Sequence, residues 1–307
     1  MKSTQTILNP WNGEPVSSLP LCTPQDIEQA LAAGAAAVRP FARTSRFLRA
    51  ELLDAMLQGL HAQKDRLVAS ICAEAGKPVD LAEGEFARCA NTFKVARDEV
   101  GRFVGETYAM DLDAGGRAFA TATTEFVPRG LIYAITPFNF PLNLVAHKVA
   151  PALAVGAPIL LKPAPQAPGA AFILLEIFAQ AVAGVNTRHG TATDRIPETA
   201  YQVIFCDNDL AGIPTRDPRV AIVSFTGSPT VGWSLQKEAA RKKLLLELGG
   251  NAGVILAGDG DADLCAARCA YGATAYAGQT CISVQRIFAE ASLYPAFKEK
   301  LIQAFAA

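Results

Sequence analysis

Between residues 131 and 248 short apolar runs alternate with stretches of helical length, and this alternation constrains the fold more than any other feature of the chain. Residues 131–136, 158–162, 201–205, 220–225 and 244–248 read as strands. Residues 142–155, 170–183 and 229–240 read as helices between them. Strands that are apolar throughout are buried on both faces, which implies a parallel sheet covered by helices. Right-handed crossovers then give a doubly wound α/β fold whose ligands sit at the carboxyl ends of the strands. Residues 186–198 are polar, contain Gly190 and Pro197, and read as a loop.

The first third reads as helices. Thr23-Pro24 offers a capping hydroxyl followed by proline at the first helical position, and Leu31, Ala35 and Val38 continue on one face. Residues 46–61, 64–75 and 81–100 carry apolar residues at helical spacing, and Gly76-Lys77-Pro78 interrupts them. Residues 115–128 are rich in β-branched and aromatic residues after Gly115-Gly116, which suggests an extended hairpin arm.

Composition narrows the class. A chain of 307 residues, half of them hydrophobic and 19% charged, is long enough for two domains with extensive burial. A net charge of −1 gives no electrostatic reason to expect nucleic acid or a membrane surface as partner. The N-terminus lacks an apolar core of signal-peptide length. Seven cysteines, an odd number with no Cys-x-x-Cys pair, fit free thiols in a reducing cytoplasm. Cys265 and Cys269 lie four apart with no histidine nearby, so small buried residues are expected there and no metal site.

Three side chains could carry chemistry. Cys281 lies in Ala277-Gly278-Gln279-Thr280-Cys281-Ile282-Ser283, Glu247 in Leu246-Glu247-Leu248-Gly249-Gly250, and Asn139 in Pro137-Phe138-Asn139-Phe140-Pro141. A thiol can attack a carbonyl carbon, a carboxamide can donate to the oxyanion that forms, and a carboxylate can activate water to release an acid. Each also has an ordinary reading. A cysteine among small residues is more often a core residue. Asn139 can bond its own turn. Glu247 inside an apolar strand is costly to bury, which calls for a role or a partner such as an arginine.

Two further segments suit a phosphate-bearing ligand. Phe225-Thr226-Gly227-Ser228-Pro229-Thr230-Val231-Gly232 closes a strand and opens a helix, where Ser228 can cap and free N–H groups suit a pyrophosphate. Taken alone, it reads first as an ordinary strand-to-helix turn, since it is not the Gly-x-Gly-x-x-Gly fingerprint. Lys162 in Leu161-Lys162-Pro163-Ala164-Pro165 could bond a ribose, or could be a solvated lysine at a strand end.

Together, Phe138-Asn139-Phe140-Pro141, Leu161-Lys162-Pro163, Phe225-Thr226-Gly227-Ser228, Glu247-Leu248-Gly249-Gly250 and Gly278-Gln279-Thr280-Cys281, in this order, resemble the aldehyde dehydrogenase superfamily from about Leu8 to the end. The resemblance implies a doubly wound parallel-sheet dinucleotide-binding domain with N-terminal helices over residues 1–248, and the first part of an α/β catalytic domain over 249–307. It implies NAD or NADP as cofactor and a small aldehyde as substrate. Cys281 would be the nucleophile, Glu247 the base, and Asn139 an oxyanion donor with the Cys281 backbone N–H. Lys162 would bind the adenosine ribose and Ser228 would meet the pyrophosphate. Thr226, Gly227, Gly232, Leu248, Thr136 and Pro137 would complete the cofactor site. His147 falls where the family often lines its substrate tunnel, and it reads equally as a core or surface residue.

Pro165 stands where NAD-preferring members often carry a ribose-binding glutamate, so a 2′-phosphate would meet less repulsion. Phe138 stands where many members have tryptophan. Glu247 argues against a coenzyme-A-acylating member, which needs no base to activate water. Members of the family continue for a further third, and no Glu-x-Phe-Gly-Pro segment occurs here. The expectation is a truncated or split member. Its apolar residues Val254, Ile255, Leu256, Ile282, Val284, Ile287 and Phe288 would lack cover, and the homo-oligomer usual in the family would be compromised. A dinucleotide- or partner-binding fragment without turnover is the alternative. A thiol redox sensor is weaker, because no resolving cysteine is suggested by spacing.

Overall fold

The computed structural model describes residues 2–116 and 121–306. Helix α1 (Pro24–Arg43) begins where Thr23-Pro24 places it. The Asp26 N–H donates to the Thr23 hydroxyl at 3.2 Å and the Thr23 N–H donates to the Asp26 carboxylate at 2.8 Å, closing a capping box. The buried face of α1 is Ile27, Leu31, Gly34, Ala37 and Phe41. The stripe expected through Ala35 and Val38 is therefore turned, and both are only half-buried. Helices α2 (Arg46–Ala62), α3 (Lys64–Ala75) and α4 (Val79–Glu99) follow the expected spacing. Gly76 ends α3 at φ +60°, a conformation that glycine adopts without penalty.

The first third is not wholly helical. Strands β1 (Thr4–Leu8) and β2 (Pro15–Pro20) form an antiparallel hairpin in which Ile7 alone is buried, so no apolar alternation announces it. Strands β3 (Thr107–Ala109) and β4 (Thr121–Thr123) also pair antiparallel. The arm expected over 115–128 thus begins earlier, at Thr107, while Arg117 to Ala120 lie outside the described residues.

Five strands build the main sheet: β5 (Leu131–Ile135), β6 (Ile159–Lys162), β7 (Tyr201–Val203), β8 (Val220–Gly227) and β9 (Lys243–Leu248). Their order is β7-β6-β5-β8-β9, with β5–β6, β6–β7 and β5–β8 parallel. The chain winds outward from β5 through β6 to β7, then returns to the other side of β5 as β8. The topological switch point lies between β5 and β8, where such sheets bind ligands at their carboxyl ends.

Both sheet faces are covered, as the apolar strands require. Ala134 of β5, Ile159 and Leu161 of β6 and Tyr201 of β7 belong to a core completed by α2, α3, α4, α5 (Asn143–Val155) and α6 (Gly169–His189). Leu131 and Tyr133 of β5, Leu160 of β6 and Val223 of β8 face the opposite way, onto α1 and α7 (Asn208–Arg216). Helix α8 (Pro229–Glu238) connects β8 to β9.

One expectation is corrected here, and one helix went unread. Helix α6 runs on to His189, into the segment read as a loop. There the Thr187 hydroxyl donates to the Ala183 carbonyl, and the Asn186 amide exchanges hydrogen bonds with the backbone of Ile196. Helix α7 went unread because it is nine residues long and contains Pro214.

Contacts divide the chain into two compact units, Met1–Phe225 with Leu235–Leu245 and Thr226–Ser234 with Leu246–Ala307. The second contains the parallel pair β10 (Val254–Leu256) and β11 (Ile287–Ala289), with helices α9 (Ala262–Thr274) and α10 (Tyr294–Ala306). Leu256, Ala266 and Phe297 form its small core. Ile255, Ile282 and Phe288 are exposed, as expected of apolar residues without cover, but Leu256 is buried and Val254, Val284 and Ile287 are half-buried.

Replacing Thr23 with alanine removes the cap of α1 and will destabilise the protein by about 1 kcal/mol, measurable by denaturant unfolding. The bonds from Lys2 and from Thr23 hold the Asp26 carboxyl at about 2, below its ordinary 3.8. A depressed carboxyl stabilises above its unfolded value, so this contribution is present at neutral pH and fades as pH falls from about 4 through about 2.

Candidate active site

Cys281 is the exposed one of the seven cysteines, all of which are free. Burial pushes the Cys206 and Cys269 thiols up to about 11, and also raises Cys22, Cys72 and Cys89. The loop that carries Cys281 is pinned just after it. The Val284 N–H donates to the Gly272 carbonyl of α9 at 3.1 Å, and the Gln285 N–H donates to the Asn251 carbonyl at 3.2 Å. Immediately upstream, Tyr276, Ala277 and Gly278 all have positive φ, at 52°, 53° and 74°. For the two non-glycine residues this costs about 1–2 kcal/mol each, strain that persists only where surrounding structure enforces it.

The Glu247 segment runs beside this loop. A side chain at Gly250 would meet the Cys281 carbonyl oxygen at 3.4 Å. Glu247 itself lies on β9, where exposure alternates, and it is exposed. The argument from the cost of a buried carboxylate is therefore overturned: β9 is an edge strand, and its apolar composition does not place Glu247 in the core. Cys265 and Cys269 lie 3.8 Å apart on α9, and no group of three or more metal-ligating side chains occurs among the described residues.

The strand-to-helix turn is compact. The Gly232 N–H donates to the Ser228 carbonyl at 3.0 Å, and the Val231 N–H reaches the Ser228 hydroxyl at 3.4 Å. The Gly249 N–H donates to the Gly227 carbonyl at 3.3 Å. Gly232 packs so closely on Leu248 that a β-carbon would sit 2.5 Å from its side chain. Thr226, Gly227, Ser228, Gly232 and Leu248 are thus brought together in the second unit.

In the first unit the ends of β5 and β6 meet. The Thr136 N–H donates to the Lys162 carbonyl at 3.2 Å. Thr136 is buried, and its hydroxyl has no hydrogen-bond partner among the described residues. The Lys162 ammonium donates to the Asn208 side chain at 3.3 Å. Burial lowers the Lys162 pKa against the opposing pull of Cys206 and Asp207. Asn208, Asp207 and Pro165 also line a cavity of about 530 Å³. Lys162 is therefore not a solvated strand-end lysine.

Pro137 and Asn139 follow β5, and a buried ion pair that sequence reading missed holds their loop. The side chains of Lys77 and Glu85 are 1% and 0% exposed and bonded to each other. The Lys77 ammonium also donates to the Asn139 carbonyl at 2.6 Å and stands 3.8 Å from the centre of the Phe140 ring. Burial lowers its pKa, against the attraction of Glu85. The other Glu85 oxygen accepts from the Leu142 and Asn143 N–H groups at 2.9 and 3.0 Å. These open α5, which has no side-chain cap of its own. Lys77 was legible only as part of a helix break. Glu85 had a usable signal, because it shares the apolar face of α4 with Ala82, Phe86 and Cys89. Glu85→Ala will strand a buried ammonium and two helix N–H groups and cost about 3–5 kcal/mol in unfolding free energy. Glu85→Gln, which keeps an acceptor, will cost less.

The sequence matches the model of the aldehyde dehydrogenase family over residues 1–307. It is 35% identical over 298 residues to aspartate-semialdehyde dehydrogenase 1 of Pseudomonas canavaninivorans, covering 96% of this chain and 60% of that protein. The fold matches the crystal structure of aldehyde dehydrogenase 21 from Physcomitrella patens in complex with the reaction product succinate. The TM-score is 0.88 at 33% identity, over 99% of this chain and 60% of that one. It also matches NADP-dependent glyceraldehyde-3-phosphate dehydrogenase from Bacillus halodurans C-125 complexed with NADP, with a TM-score of 0.90 at 29% identity, over 98% of this chain and 61% of that one. The chain spans about 60% of the length of these relatives. On the family match across its length, and on relatives at this level of identity, the chain belongs to the aldehyde dehydrogenase family.

Proposed function

We propose that this chain carries the thiol, the base and the oxyanion donor for oxidation of an aldehyde to a carboxylic acid. NAD or NADP, when bound, supplies the hydride acceptor. The observation that carries the reading is Cys281: an exposed thiol on a pinned loop behind a strained backbone, in a chain that matches the family throughout. The names of the matched relatives, a semialdehyde dehydrogenase and an NADP-dependent dehydrogenase, support the same reaction class.

Cys281 Sγ attacks the carbonyl carbon, and the oxygen becomes an oxyanion. The Asn139 carboxamide and the Cys281 N–H donate to that oxygen. Loss of hydride from the same carbon re-forms the carbonyl as a thioester on Cys281. Glu247 takes a proton from water, whose oxygen attacks the thioester carbon. The C–S bond breaks, and the acid leaves with the thiol regenerated. Lys162 binds the cofactor ribose, and the Ser228 turn at the start of α8 meets its pyrophosphate. The residues present suit such a ligand. The orphaned Thr136 hydroxyl, the buried Lys162 ammonium and the cavity beside it offer donors, and Gly232 keeps a side chain out of the turn.

In the full-length protein, Cys281→Ala will lower aldehyde-dependent reduction of NAD or NADP by at least ~10³-fold. Limiting iodoacetamide will label Cys281 before the other six cysteines, read by peptide mass analysis. Prior labelling of Cys265 or Cys269, or an alanine variant that keeps its activity, would overturn the assignment. Lys162→Ala will weaken dinucleotide binding about 10–100-fold in calorimetric titration, the worth of one charge-assisted hydrogen bond. Dinucleotide binding without turnover of any aldehyde would favour the non-catalytic alternative.

A further inference from the structure

We propose that Cys265 and Cys269 form a dithiol site for trivalent organoarsenicals, in which one arsenic atom bonds both sulfurs. The inference goes beyond the aldehyde-oxidising reading and does not depend on it. The two Sγ atoms stand 3.8 Å apart, one helical turn from each other on α9. Cys265 is half-buried and Cys269 is buried. Both line a cavity of about 300 Å³ with Leu256, Leu264 and Arg268, which gives a small reagent access to both sulfurs from one side.

Spacing decides what the pair can do. A disulfide needs its β-carbons about 3.5–4.5 Å apart and its sulfurs about 2.05 Å apart. Helix positions i and i+4 hold their β-carbons about 5–6 Å apart, so closing an S–S bond would distort the turn between them. A single atom bonded to both sulfurs meets no such obstacle. Thiolate bonds of about 2.3 Å meeting near the tetrahedral angle hold two sulfurs roughly 3.8 Å apart. The narrower angle at arsenic(III) brings them only slightly closer, within reach of a small side-chain rotation.

Ligand number decides which atom. Among the described residues no group of three or more His, Cys, Asp or Glu side chains could hold a metal ion. A zinc ion requires four ligands and would find two. An arsenic(III) centre that keeps one carbon substituent requires two sulfurs and no third protein group. The exchange balances without a redox step: R–As=O meets two S–H groups, two As–S bonds form, and the oxygen leaves as water with both thiol protons. Burial holds the Cys269 thiol at about 11, so its proton is in place for that step. The helix keeps the spacing before the ligand arrives. The Asp261 carboxylate caps α9 by accepting from the Asp263 and Leu264 N–H groups at 2.9 and 3.0 Å, and Lys300 of α10 is bonded to Asp263. The second As–S bond is then intramolecular and strongly favoured. A reagent that needs one thiolate follows exposure and goes to Cys281, whereas a reagent that needs two sulfurs at fixed spacing goes to α9.

The test treats the full-length protein with one equivalent of phenylarsine oxide and reads intact mass. One phenylarsenic group per chain will survive excess 2-mercaptoethanol and will leave with 2,3-dimercaptopropanol, which offers two thiols of its own. Cys265→Ser and Cys269→Ala will each weaken retention by ~10²–10⁴-fold, because the intramolecular second bond is lost. Cys265 is half-buried and accepts a polar replacement, so that variant keeps the test decisive should Cys269→Ala fail to fold. Cys281→Ser will retain the adduct, and iodoacetamide will still alkylate Cys281 in the treated wild type. An adduct unchanged in Cys265→Ser, one lost in Cys281→Ser, or no adduct that resists the monothiol would sink the proposal. Ready formation of a Cys265–Cys269 disulfide with diamide, seen as a loss of two hydrogens, would overturn the spacing argument on which it stands.

Discussion

Two buried carboxylates, each presented by one helix to the first turn of another, fix the arrangement on which the rest of the first unit depends. Helices α5 and α6 open at Leu142 and Pro168, neither of which supplies a side-chain cap. Their unsatisfied N–H groups are met instead by Glu85 and Glu74, which accept from Leu142, Asn143 and Gly169 at 2.7–3.0 Å. A helix N-terminus carries partial positive charge, so an anion there is favoured twice, by field and by hydrogen bond. The cost is desolvation of a carboxylate. Lys77 offsets it for Glu85, and at Glu74 burial pushes the carboxyl pKa upward. Gly169 is required by the same contact, since a β-carbon there would sit 2.6 Å from a Glu74 oxygen.

Because α5 is anchored at its start, the loop between β5 and α5 inherits a fixed position. Lys77 holds that loop at the Asn139 carbonyl, and the Lys148 ammonium in the body of α5 donates to the Ser224 hydroxyl of β8 at 2.9 Å. A group proposed to donate to a transient oxyanion must be in place before the charge appears. Polar bonds to its backbone and to its helix meet that need. The second unit reaches a fixed loop differently. There the backbone ahead of Cys281 takes a left-handed run, and the backbone just after it is bonded to Gly272 and Asn251.

What the sequence made legible follows from the range of the interaction involved. Helices α1 to α5 and the five sheet strands rest on local spacing and capping, and their positions match the reading closely. The β1–β2 hairpin escaped because its residues are mostly exposed, and α7 because a proline sits within nine residues. Glu247 was misplaced for a topological reason. Apolar composition identifies a strand, but not whether that strand ends up at the edge. The Lys77–Glu85–Leu142 network joins groups 8 and 57 residues apart, which no periodicity reports. The family motifs pointed to Cys281, Asn139 and Lys162, yet motifs do not say how a residue is held.

Helix α4 presents two charged side chains of opposite sign to the Asn139 loop region, one buried and one exposed. Glu85 and Arg88 are three residues apart, the spacing that places side chains together on consecutive turns. Glu85 is buried and Arg88 is exposed. Both act around Phe140, whose ring has the Lys77 ammonium at 3.8 Å and the Arg88 guanidinium at 5.8 Å. Arg88 also pushes the Lys77 pKa downward, so the two cations sense each other. A charge change at position 88 alters the field at the ammonium that holds the Asn139 carbonyl.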